Sequence, residues 1–144
     1  MVMSRTVAAA AVLLLVVAST AMAASSRKVH QSGSVKGDSG AGVRLVVIKA
    51  GGAPKSVKNV KFKNLSSDCS NGKARIRLKL SGAARVDEKR KFETTYKSGK
   101  TKVTLEGKVK RDGSRVHGSI KGTTVPISGV GRCEVPSVEF TTRR

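Results

Sequence analysis

Acid–base chemistry in this 144-residue sequence would have to come from His30, His117 and nine carboxylates: Asp38, Asp68, Asp87, Glu88, Glu93, Glu106, Asp112, Glu134 and Glu139. Nucleophilic catalysis needs a nucleophile, a base and a group that orients the base. Serines are plentiful, but His30 falls in a Ser/Gly/Lys-rich stretch unsuited to fixed geometry. His117 stands between Arg115 and Ser119 on the polar side of an alternating segment, the ordinary setting of a solvated surface histidine. No Gly-x-Ser-x-Gly run occurs. Paired carboxylates could serve glycoside hydrolysis. Here Asp38, Asp68 and Asp112 sit in turn-like contexts, where backbone hydrogen bonding accounts for them. Glu93, Glu106 and Glu139 fall on outward strand positions suited to pairing with Lys or Arg, and Asp87-Glu88 leads into a charged bend, Lys89-Arg90-Lys91. Clustered oxygen ligands for calcium, Cys/His sets for zinc and a Gly-rich phosphate loop before a helix are all missing from the pattern. The reading is of a non-enzymatic chain with no catalytic residues, no metal site and no cofactor.

The cysteines carry different chemistry. Cys69 and Cys133 belong to no Cys-x-x-Cys pair, and neither histidine is at ligand spacing from them. An even count behind an export signal reads as one disulfide. It would close a loop of 64 residues, which the chain-entropy relation values at roughly 4 kcal/mol.

The export signal is residues 1–23. Arg5 supplies the positive start, Val7 to Val17 an apolar run too short for an ordinary membrane span, and Ala21-Met22-Ala23 the small residues of a cleavage site. A signal helix is expected there, with no membrane span after cleavage. Residues 24–42 read as a flexible Ser/Gly/Lys arm with at most a short edge strand near Val29 to Val35. Residues 43–144 read as one β domain.

Within that domain the strand signals are short and regular. Val43 to Lys49 is apolar on both faces, as a central strand would be. Val60 and Phe62 alternate with Lys61 and Lys63, and Arg75, Arg77 and Lys79 alternate with Ile76, Leu78 and Leu80. Lys102, Lys108 and Lys110 share one side of a stretch that puts Val103, Leu105 and Val109 on the other. Asn71-Gly72 and Asp112-Gly113 are hairpin turn signals, and Gly82 suggests a bulge. Residues 123–132 read as a Gly/Pro-containing connection before a last strand bearing Val138 and Phe140. About seven strands with turn signals roughly every 10 residues indicate an all-β fold, an antiparallel immunoglobulin-like β-sandwich with one disulfide, although the core Trp of a true immunoglobulin domain is missing.

Pro54-Lys55-Ser56-Val57 with Phe62, Cys69-Ser70-Asn71-Gly72, Val116-His117-Gly118-Ser119-Ile120, Cys133 and Val138-Glu139-Phe140 together form a pattern. It resembles a broad group of uncharacterised secreted bacterial proteins with a single-disulfide β-sandwich domain. The resemblance covers about residues 43–142 and implies a fold and an exported location, with no activity.

Charge bounds the partners. The chain carries +20, or +19 once Arg5 is removed with the signal. Such a balance favours anionic partners. Single-strand nucleic acid readers need stacking aromatics, and Phe62, Phe92, Tyr96 and Phe140 are better assigned to the core. Export also argues against genomic nucleic acid. The expectation is a secreted or envelope-associated monomer that holds anionic envelope or extracellular polymers through Arg75, Arg77, Lys79, Lys102, Lys108 and Lys110. The rival is a structural or protein-interaction domain whose charge serves only solubility and protection of strand edges.

Overall fold

A computed structural model describes residues 25–144. The export signal expected at 1–23 lies outside the described residues. Ten strands follow: β1 (Arg27–Val35), β2 (Asp38–Ala50), β3 (Ala53–Cys69), β4 (Gly72–Arg85), β5 (Lys91–Ser98), β6 (Thr101–Val109), β7 (Arg115–Gly122), β8 (Thr124–Ile127), β9 (Gly131–Glu134) and β10 (Val138–Arg143). All pairings are antiparallel, in the order β5-β6-β7-β10-β1-β2-β3-β9-β8, with β4 on β3. The all-β class and the disulfide agree with the sequence. Ten strands replace about seven. β1–β4 and β5–β7 are meanders, and β10 joins them between β7 and β1. The immunoglobulin likeness therefore holds for an antiparallel all-β domain with one disulfide and not for strand order.

Alternation builds the core. Ile76, Leu78 and Leu80 point inward with Val43, Leu45, Val47, Val60 and Phe62 from one meander. Phe92, Val103, Leu105, Val109, Val116 and Ile120 come from the other, and all belong to one buried cluster. Between the meanders stands an inward row in cross-strand register: Phe92, Gly107, Gly118 and Phe140. A Cβ on Gly107 would lie 2.7 Å from Phe92 Cζ, and one on Gly118 would run into Phe140 Cζ. The two rings therefore occupy the space that the glycines leave, a device that offsets glycine's weak strand preference.

The expected flexible arm is corrected. Residues 27–35 form β1, hydrogen-bonded to β10 on one side and β2 on the other. The domain therefore begins at Arg27, not at residue 43. Its buried positions are Val29, Gln31 and Val35, and one of these three is polar. Gln31 is buried, donates through Nε2 to the Gly113 carbonyl, and accepts from Thr142 Oγ1 at 2.7 Å. The Asp112-Gly113 turn is thereby tied to the strands beneath it.

At the other end, residues 124–134 form the β8–β9 hairpin in place of the expected connection. Cys133 pairs with Cys69 in register and is disulfide-bonded to it. Ser67 Oγ, buried, donates to the Glu134 carbonyl beside that bond. The disulfide thus pins a short hairpin to the end of β3. The bulges in β3 centre on Asn59 and Asn64, both at φ 54°, and Gly82 opposite takes φ 114°. These shifts keep Val57, Val60, Phe62 and Leu65 all inward.

Candidate functional site

β4 presents Arg75, Arg77 and Lys79 outward, as alternation requires, but they do not act alike. Arg75 Nη1 lies 2.6 Å from Asp38 Oδ1 and donates to the Asn64 carbonyl at 2.9 Å. The Asp38 carboxyl is held below the usual carboxylate range, first by the Ser66 backbone N–H and then by Arg75. Arg75 is thus committed to a local ion pair, while among the described residues Arg77 and Lys79 have no carboxylate partner.

The β6 lysines are scattered. Lys102 begins the strand opposite Lys97. Lys108 lies between Lys91 and His117. Lys110 lies past the strand end, in the turn that contains Asp112. The order of pairing puts β5 between β6 and the chain's return to β4, and no ladder joins β4 to β5. The six expected residues therefore do not make one patch.

Lys108 belongs instead to an open concavity of about 990 Å³ on the outer side of β5, β6, β7, β10 and the end of β1. Two rows cross its floor. One is Lys91, Lys108, His117, Thr141 and Ser34. The next, two residues along each strand, is Glu93, Glu106, Ser119 and Glu139. Cations and carboxylates thus sit one row apart, about 7 Å along the strand. Lys36 Nζ lies 3.5 Å from Glu139 Oε2, and Ser119 Oγ donates to Glu106 Oε1 at 3.4 Å. His117 Nδ1 and Thr141 Oγ1 are 2.9 Å apart. Among the described residues no carboxylate bonds the His117 ring, so the hydroxyl–imidazole pair lacks the group that fixes a base. The floor is a charge-balanced surface.

The outer face of β2, β3 and β4 is different. Arg44 stands opposite Lys61, and Lys61 opposite Lys79. Lys58 and Lys63 flank Lys61 along β3, and Arg77 precedes Lys79 on β4. Residues 39–67 and 69–86 contain no carboxylate. The two acids of these strands, Asp38 and Asp68, lie together at one end, where Asp38 meets Arg75 and Asp68 faces Lys73. Arg44 and Lys61 were not among the expected site residues because cross-strand register, which brings them together, is non-local. Their outward placement beside Val43 and Phe62 was the available signal.

Two other groups depart from their ordinary pKa values. The Asp112 carboxyl is lowered by hydrogen bonds from the Ser114 hydroxyl and backbone N–H, which fix the β6–β7 turn. Burial pushes the Tyr96 phenol up, and its hydroxyl has no hydrogen-bond partner. The described residues contain no cluster of His, Cys, Asp and Glu able to hold a metal ion, and no helix long and apolar enough to cross a membrane.

Comparison with known protein families, with curated proteins and with solved structures finds no match to this chain. The resemblance to secreted bacterial proteins accordingly extends to a disulfide-bonded all-β domain and no further.

Proposed function

We propose that this protein is a secreted, non-enzymatic β domain that associates with anionic cell-envelope or extracellular polymers through lysine and arginine side chains. The observation that carries the reading is the sorting of charge between two faces. Acids are interspersed with cations on the β5–β6–β7–β10 face, while on the β2–β3–β4 face the acids Asp38 and Asp68 lie at one end and cations gather over the rest. Charge kept only for solubility has no need of such sorting, since interspersed signs serve solubility better. The Cys69–Cys133 bond suits an oxidising compartment, and the apolar run at Val7 to Val17 before Ala21-Met22-Ala23 suits export to one.

The test is retention of the mature protein on a teichoic-acid or polyphosphate matrix across a salt series. Counterion release makes the logarithm of affinity fall linearly with the logarithm of salt. Retention should be weak at physiological salt and strong at low salt, and gln replacement of Arg77 and Lys79 should weaken it more than the same change at Lys102 and Lys110. No retention even at low salt would contradict the reading. Equal losses from both sets would return the charge to the solubility role.

A further inference from the structure

We propose that the outer face of β2, β3 and β4 seats a linear phosphate polymer lying across the strands, with Arg44, Lys61 and Lys79 meeting its anionic groups in turn. The proposal rests on the polyanion reading and gives it a site and a ligand class.

The three cations are directly opposed across successive strands. Neighbouring strands lie about 4.8 Å apart. Like charges so placed repel, and directly opposed like charges destabilise a strand pair. Among the described residues no carboxylate forms an ion pair with Arg44, Lys61 or Lys79. The ion pairs among the described residues are Lys36–Glu139 and Arg75–Asp38, and neither involves the ladder. The row also runs on past Ser32 to Arg143 and Arg115, again without a carboxylate. Such a row of exposed, directly opposed cations is complementary to an anionic chain laid across the strands.

Side-chain chemistry selects the ligand. Arg44, Lys61 and Lys79 only donate hydrogen bonds, and so do their neighbours Lys58, Lys63 and Arg77. A sugar polymer presents hydroxyl donors that need acceptors, and it favours aromatic platforms. Phe62, the aromatic of β3, is buried on the opposite face. A phosphate chain presents acceptors and charge alone, which donors of this kind satisfy, the Arg44 guanidinium through two parallel bonds. Rigid strands fix the spacing, so only the side-chain ends need ordering on binding.

The experiment measures binding of linear polyphosphate to the mature protein over a salt series. Arg44→Gln/Lys61→Gln/Lys79→Gln should weaken binding at least about tenfold at low salt and reduce the log–log salt slope by about 2, since each contact to a single chain contributes about 0.7. Lys102→Gln/Lys108→Gln/Lys110→Gln removes the same charge and should leave the slope nearly unchanged. Lys61→Gln alone should lower the slope by about 0.7, which keeps the test decisive if the triple variant melts without cooperativity. Equal losses from the two triples would overturn this seat while leaving diffuse polyanion association standing. Absence of polyphosphate binding by the unaltered protein at low salt, with polyuronate bound instead, would overturn the phosphate assignment alone. Absence of both would sink the functional reading itself.

Discussion

The ring of Phe62 stands edge-on to that of Phe140, with centroids 5.4 Å apart and planes at 81°. Yet β3 and β10 are separated by β2 and β1 in the hydrogen-bonded order. Three strand steps span about 14 Å on a flat sheet. The contact therefore requires the sheet to curl until its two halves face each other, and this pair sits where they meet. With aromatics at 3% of the sequence, two such rings carry an unusual share of the core.

Phe140→Ala and Phe62→Ala should each destabilise the domain by about 3–5 kcal/mol. A double-mutant cycle should show a coupling of about 0.5–1.5 kcal/mol from the edge-to-face geometry. Gly118→Ala should also destabilise, because its methyl group would meet the Phe140 ring. Denaturant melts check all three. A coupling of zero would mean that the halves do not meet through these rings.

Leu78→Asp should unfold the domain, whereas Arg77→Ala should change stability by about 0.5 kcal/mol or less. Leu78 is buried in the core and Arg77 is exposed. An unpaired carboxylate at Leu78 costs several kcal/mol, comparable to the whole stability of a small domain. Thermal melts in the reverse order would place the β4 register one residue out.

Protein recovered from an oxidising compartment should contain no alkylatable thiol until it is reduced, as intact mass after alkylation would show. Reduction should cost roughly 4 kcal/mol in a chemical melt, because the bond closes a 64-residue separation. Two free thiols without reductant would contradict the pairing.

Acid should weaken the domain partly through Asp38. Its folded pKa lies below the ordinary value of 3.8 because the Ser66 N–H and then Arg75 stabilise the carboxylate. The folded state thus binds the proton less readily than the unfolded chain. The contribution is present above the unfolded pKa and is lost as pH falls through the folded one. Asp38→Asn should lower stability at pH 6 and flatten its decline below about pH 4. An unchanged acid profile would show that the Asp38–Arg75 pair carries no stability.

Much of the fold was legible in the chain, and the gaps have physical causes. Alternation at Arg75 to Leu80 identified β4 because one face is wet and the other dry. Asn71-Gly72 and Asp112-Gly113 identified their turns because such pairs tolerate the tight backbone. β1 read as no more than a short edge strand in a flexible arm because polar Gln31 fills one of its buried positions and Ser and Gly surround it. Gln31 is acceptable there only through Gly113 and Thr142, more than 80 residues away in sequence. A Cβ at Gly33 would run into the Thr141 carbonyl, so glycine there reflects a close approach and not flexibility. The β8–β9 hairpin was hidden because four-residue strands offer too little alternation. Outward cations could be named from β4 and β6, but not grouped. Grouping depends on register, and the bulges at Asn59 and Asn64 shift it within β3.

The most direct measurement of the central claim is the melting temperature of Lys61→Gln, with and without long-chain polyphosphate at low salt. Lys61 is the middle cation, opposed by Arg44 and Lys79. Removing its charge should relieve two repulsive pairs and raise the melting temperature of the free protein. A ligand that binds only the folded state raises the melting temperature in proportion to its affinity. The polyphosphate-induced rise should therefore be smaller in the variant than in the unaltered protein. A free variant that melts lower, together with an undiminished rise on adding polyphosphate, would contradict a ladder held under repulsion for an anionic chain.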